Sequence, residues 1–159
     1  MTETKNMTLA RALKEKNRIA GKLATLRDRI SRENSWEDNS RPRNFDVLKL
    51  YNEAEILEQN LVSVKTAIAI ANAGIVKKII ELAEVKSKIK WLCGISTKQG
   101  VFSENSYGNK IDRTFTVIIS GQEIVEKCNQ LQEKANDLQD EIDEYNASTR
   151  INVALETVE

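Results

Sequence analysis

The sequence predicts a mainly α fold: an elongated, antiparallel helical bundle or coiled coil with one β-hairpin between its third and fourth helices. Three observations predict it. Apolar residues recur alternately three and four positions apart in four separate segments, which is the seam pattern of packed helices. Charged residues make up 30% of the chain and aromatic ones 5%, with one proline in 159 residues, a composition that favours long helices. A single β-branched and aromatic stretch interrupts the pattern, with Gly100 and Gly108 where turns are needed. The expectation is one domain over residues 1–159, with helices at about 8–33, 45–72, 75–93 and 121–146 and the hairpin at about 97–119.

Thr8 is placed to cap the first helix, whose seam runs Leu9, Ala12, Ile19, Leu23, Leu26 and Ile30, with Lys16 in the one gap. The polar stretch from Ser31 to Asn44, with Pro42, reads as a connection. The seam resumes as Val47, Leu50, Ala54, Leu57, Leu61, Val64, Ile68 and Ala71. "ANAG" then predicts a tight turn near Asn72 and Gly74. A third helix follows with Ile75, Ile79, Leu82, Ile89 and Cys93 in its seam, Lys86 among them, and Gly94 at its end. Lys16 and Lys86 are read as side chains that lie along apolar surface and carry their ammonium groups to water.

Residues 111–131, "IDRTFTVIISGQEIVEKCNQL", change period halfway. The spacing predicts a strand over Thr114–Ile119. Ser120 and Glu123 then form a capping box, flanked by Ile119 and Ile124 as a hydrophobic staple. The fourth seam is Ile124, Cys128, Leu131, Ala135, Leu138, Ile142 and Tyr145, with the helix ending at Asn146 and a tail that is short and extended or frayed.

Net charge is zero, but the charges are segregated. Residues 8–43 carry ten basic and five acidic groups and residues 65–98 seven and two; residues 44–64 carry one and four and residues 121–159 three and ten. Two basic segments thus face two acidic ones, a pattern suited to pairing helices within or between chains.

The chain has no histidine, which removes the commonest general base and zinc ligand and every Ser-His or Cys-His nucleophile. No phosphate-cradling glycine loop or nucleophile elbow occurs, and Cys93 and Cys128 are not spaced as a metal or redox motif; both are read as reduced core residues. The polar start "MTETKN" is unlike a leader, and the richest apolar stretch meets Lys77 and Lys78 well before membrane-spanning length. Trp36, alone in a polar loop, is the better candidate for a partner contact, whereas Trp91 beside a seam reads as packing.

"MTLARALKEKNRIAGKLATLRDRI" at Met7–Ile30 and "FTVIISGQEIVEKCNQLQEKANDLQDEIDEYNASTRINV" resemble the opening and closing segments of the septicolysin-like family of uncharacterised bacterial helical proteins. The resemblance implies a small helical chain whose last strand runs into a long helix and an Asn-x-Thr-Thr-like stretch, matched by Asn146, Ser148 and Thr149. It also makes Met7 an alternative start, leaving residues 1–6 as an extension. The family name suggests a haemolysin, but no pore-forming element is legible.

The functional expectation is a structural or interaction protein that self-associates through coiled-coil-type packing as a homo-oligomer, dimer or higher. It is expected to be cytoplasmic and not an enzyme, with no catalytic, cofactor-binding or metal-ligating residue, no cofactor, no membrane contact and no identified protein partner. The alternative is a nucleic-acid-binding protein using the basic first and third helices.

Overall fold

A computed structural model describes residues 1–35, 46–106 and 108–157. The element order is β1 (Thr2–Thr8), α1 (Leu9–Glu33), α2 (Val47–Asn72), α3 (Val76–Cys93), β2 (Gly100–Ser106), β3 (Asn109–Phe115), α4 (Gly121–Ser148) and β4 (Arg150–Glu156). The chain is mainly helical, and a strand hairpin lies between α3 and α4. One domain is expected from the sequence, but the contacts divide the chain into two compact units, Met1–Val76 with Asp143–Glu159, and Lys77–Ile142. A seam that continues along α4 does not announce that its two ends serve different cores.

In the first unit, Thr8 caps α1 as expected, its hydroxyl accepting from the Arg11 N–H at 3.3 Å. Asp46 does the same for α2, accepting from the Lys49 N–H at 3.1 Å. The seams of both helices meet: Leu9, Ala12, Ile19, Leu23 and Leu26 are buried with Ala54, Leu57, Val64 and Ile68, and Leu50, Leu61 and Ala71 are packed against them. Lys16 is half-buried beside this stripe.

The start of the chain departs from expectation, and the tail takes the extended one of its two expected forms. The segment read as a polar extension is β1, and the tail is β4; they pair antiparallel from Thr2 opposite Glu156 to Thr8 opposite Arg150. Ile151, Val153 and Leu155 alternate in β4, so one face of the ladder adds Val153 and Leu155 to the core, joined from β1 by Met7. The α4 helix passes Asn146 and ends at Ser148, whose hydroxyl donates to the Glu144 carbonyl at 2.8 Å. The Thr149 carbonyl then accepts from the Leu9 N–H at 2.8 Å, tying the end of α4 to the start of α1.

The turn between α2 and α3 is present. The Ile75 N–H donates to the Asn72 carbonyl at 3.0 Å. Gly74 is needed there for space, since a Cβ would lie 2.5 Å from the Tyr145 hydroxyl oxygen.

In the second unit α3 and α4 run antiparallel, with Lys78 paired to Glu141 and Glu81 to Lys134 at 2.6 Å. The buried face of α3 is rotated by about one residue from the expected seam: Leu82, Val85 and Leu92 are buried and Ile89 is half-buried. Ile79, Lys86 and Cys93 are exposed, and so is Trp91 at 63%. This rotation replaces a lysine in the seam with Val85, which avoids desolvating an ammonium. The hairpin strand also ends earlier than expected, at Phe115; Thr116–Ser120 are irregular. The expected strand signal of Val117, Ile118 and Ile119 is overridden because β3 pairs with β2 only as far as Gly100 opposite Phe115.

Candidate interaction surface

The β2–β3 hairpin forms a two-stranded sheet of its own. Gly108, at φ 82°, supplies the left-handed backbone of its turn, and Gly100, at φ 101°, begins β2 in a conformation that side chains disfavour. Alternation sorts the side chains into two faces. One face carries Phe102, Ile111 and Phe115 with the ion pair Arg113–Glu104 at 3.8 Å. The other is more polar, with Val101 and Thr114 beside the hydrogen bond from Ser103 to Asp112.

The apolar face is organised but uncovered. Phe102 and Phe115 meet edge to face with ring centres 5.5 Å apart, and the Lys98 ammonium lies 5.8 Å from the Phe115 ring centre. Even so, Phe102 and Ile111 each remain 43% exposed and Phe115 36%. Further apolar side chains of the same unit reach water at Ile80, Trp91, Ile118, Ile119 and Val125. A cavity of about 490 Å³ opens between the helices, lined by Trp91, Leu92, Ile95, Ile119 and Leu131, with Lys127 among the polar groups at its rim.

The start of α4 is held locally. The Ser120 N–H donates to the Glu123 carboxylate at 2.8 Å, and the Glu123 N–H donates to the Ser120 hydroxyl at 3.2 Å, the capping box expected from the sequence. The backbone N–H of Ser120, and then its hydroxyl, hold the Glu123 carboxyl below the usual carboxylate range. Ile124 is buried, as a staple requires, but its expected partner Ile119 is 42% exposed.

The expected core cysteines are a correction. Cys93 is exposed at the end of α3 and Cys128 half-buried in α4. Burial, and after it the neighbouring Cys93, push the Cys128 thiol up. Trp36 lies outside the described residues.

Several basic groups of the helices face acidic partners. Lys22 meets Glu53 at 2.7 Å and Arg27 meets Glu58 at 2.6 Å between α1 and α2, and the α3–α4 pairs continue the pattern. Among the described residues no group of three or more histidine, cysteine, aspartate or glutamate side chains is placed to hold a metal ion. No helix among them is long and apolar enough to cross a membrane.

Asn60 was not singled out by the sequence. It is buried in α2, where its amide donates to the Glu156 carbonyl at 2.9 Å and accepts from the Glu156 N–H at 2.6 Å. It therefore reads the edge of β4 as another strand would. Its spacing, three after Leu57 and four before Val64, places it on the seam face and is the signal available.

No family model, curated protein or solved structure matches the chain.

Proposed function

We propose that this protein is a non-enzymatic interaction module that self-associates as a homo-oligomer through its second unit, with coiled-coil-type helix pairs as the frame that presents the hairpin. The observation that carries this reading is the β2–β3 sheet, which pairs with no other strand among the described residues and exposes Phe102, Ile111 and Phe115 on one face. A two-stranded sheet is marginal in water without support, and its free edges are templates for another strand. Pairing with a second copy would satisfy both demands at once.

The ion pairs from Lys22 and Arg27 in α1 and from Lys78 in α3 to acidic groups on facing helices support the helix-pairing reading of the segregated charge, because groups so compensated are lost to a nucleic-acid surface. The likeness of the terminal segments to the septicolysin-like proteins brings no activity with it.

Light scattering coupled to size exclusion tests the proposal on the full chain and on the double variant Phe102→Ser, Phe115→Ser. The expected result is a dimer or larger for the parent and a smaller species for the variant, with unchanged helical circular dichroism. A strict monomer at tens of micromolar, or a variant of undiminished size, overturns it.

A further inference from the structure

The ion pair between Glu81 of α3 and Lys134 of α4, at 2.6 Å, marks a position where the two helices face each other. Seven residues further along α3 and seven residues back along α4 stand Lys88 and Lys127. A heptad step returns a side chain to nearly the same helix face, so these lysines hold the place of an interhelical ion pair with like charges in it. Both line the cavity of about 490 Å³ at the end of the pair where α3 stops and α4 begins.

The lining of that cavity is amphipathic. Leu92 is buried, Ile95 and Leu131 are half-buried, and Trp91 and Ile119 are left exposed around them. Its polar groups are Gln130 and the lysines Lys88, Lys127 and Lys134, with no carboxylate among the residues that line it. Lys134 is engaged by Glu81, whereas Lys88 and Lys127 enter no ion pair among the described residues. Glu123, one turn before Lys127, feels its charge, but that carboxylate is taken up by the Ser120 N–H and hydroxyl.

We propose that this cavity is a binding site for a single-chain amphiphile with an anionic head, of the class of medium-chain fatty carboxylates. The head lies between Lys88 and Lys127, where each ammonium donates a charge-assisted hydrogen bond and the anion relieves the repulsion between them. The alkyl chain covers Leu92, Ile95 and Leu131 against the Trp91 ring. A cavity of this volume falls within the range of roughly 300–1,000 Å³ usual for small-molecule sites, which are mostly apolar with a few placed polar groups. None of its lining residues belongs to β2 or β3, so the site stands whether or not the hairpin pairs two copies.

The test titrates the full chain carrying Trp36→Phe, which leaves Trp91 as the single tryptophan, with decanoate below its micelle-forming concentration. The expected result is a saturable change in Trp91 emission with one decanoate per chain, weakened by added salt. Affinity should rise from octanoate to dodecanoate by about twofold or more per methylene, against the roughly fourfold of full burial. Decanol, of the same chain length without the charge, should bind about fivefold or more weakly, since two exposed charge contacts are lost. Lys88→Gln with Lys127→Gln should bring decanoate down to the affinity of decanol while leaving decanol binding and helical circular dichroism unchanged; both lysines are exposed. Equal binding of decanoate and decanol, or undiminished decanoate binding by the double variant, overturns the proposal. So does a response only to vesicles of anionic phospholipid, which would make the surface a membrane contact. Trp91 emission that shifts with protein concentration alone and ignores decanoate also overturns it, and assigns the cavity to a second copy.

Discussion

Gly74 and Tyr145 show how a single contact sets a turn. The Tyr145 hydroxyl donates to the Ala71 carbonyl at 2.9 Å, one of the carbonyls left without a helical partner at the end of α2. Gly74 leaves room for that hydroxyl, and an alanine Cβ would meet it at 2.5 Å while the ring carbon behind it stands at 3.3 Å. Gly74→Ala should therefore displace the hydroxyl and forfeit its bond, costing about 1 kcal/mol beyond any strain. In a Tyr145→Phe background the same substitution should cost less, since the bond is already gone and the nearest atom is farther away. Urea midpoints for the four proteins of this cycle measure the coupling. Additive effects would show that Gly74 answers to something other than the hydroxyl.

At the level of elements, α4 begins where it does because its cap is local. Ser120 and Glu123 satisfy each other's backbone N–H groups regardless of where the hairpin before them goes. Glu123 must be ionised to do this best, and its carboxyl is held below the ordinary range by the Ser120 N–H. A lowered carboxyl stabilises the fold fully above its unfolded pKa, and the contribution fades as pH falls through the folded value. Glutamine can occupy the same position without titrating. Glu123→Gln should thus show a shallower fall in thermal stability than the parent between neutral pH and about pH 3. Some fall remains in both, because Glu15 is lowered by its bond from Arg18 and Glu81 by its bond from Lys134. Identical slopes would show that the box does not depend on the charge.

For the whole molecule, the two units differ in how they close their cores. The first buries Leu9, Ile19, Val64 and Val153 almost completely between two helices and a ladder, with Asn60 closing the edge of β4. The second has a hairpin whose amides have no cover beyond their own ladder among the described residues. Hydrogen exchange at low concentration should accordingly be slowest in α1, α2 and β4 and fast in β2 and β3. Raising the concentration should slow exchange selectively in β2 and β3 if copies pair there. Protection of the hairpin that is independent of concentration would place its cover within the single chain.

The sequence by itself determined what depends on neighbours a few positions away. The three-four spacing settled the four helices, Thr8 and the Ser120–Glu123 box settled two of their starts, and Gly74 marked the turn after α2, because caps and helical faces are local. Only tertiary structure decided the rest. β1 has little strand character in "TETKNMT" and exists because β4 pairs with it from the other end of the chain. The buried face of α3 could not be chosen from Ile79, Leu82, Val85, Ile89 and Cys93 alone, since two faces one residue apart both read as apolar, and the choice fell to the one that leaves Lys86 in water. The candidate surface was legible only as a hairpin; that Phe102, Ile111 and Phe115 share one uncovered face follows from a register closed by the turn at Gly108.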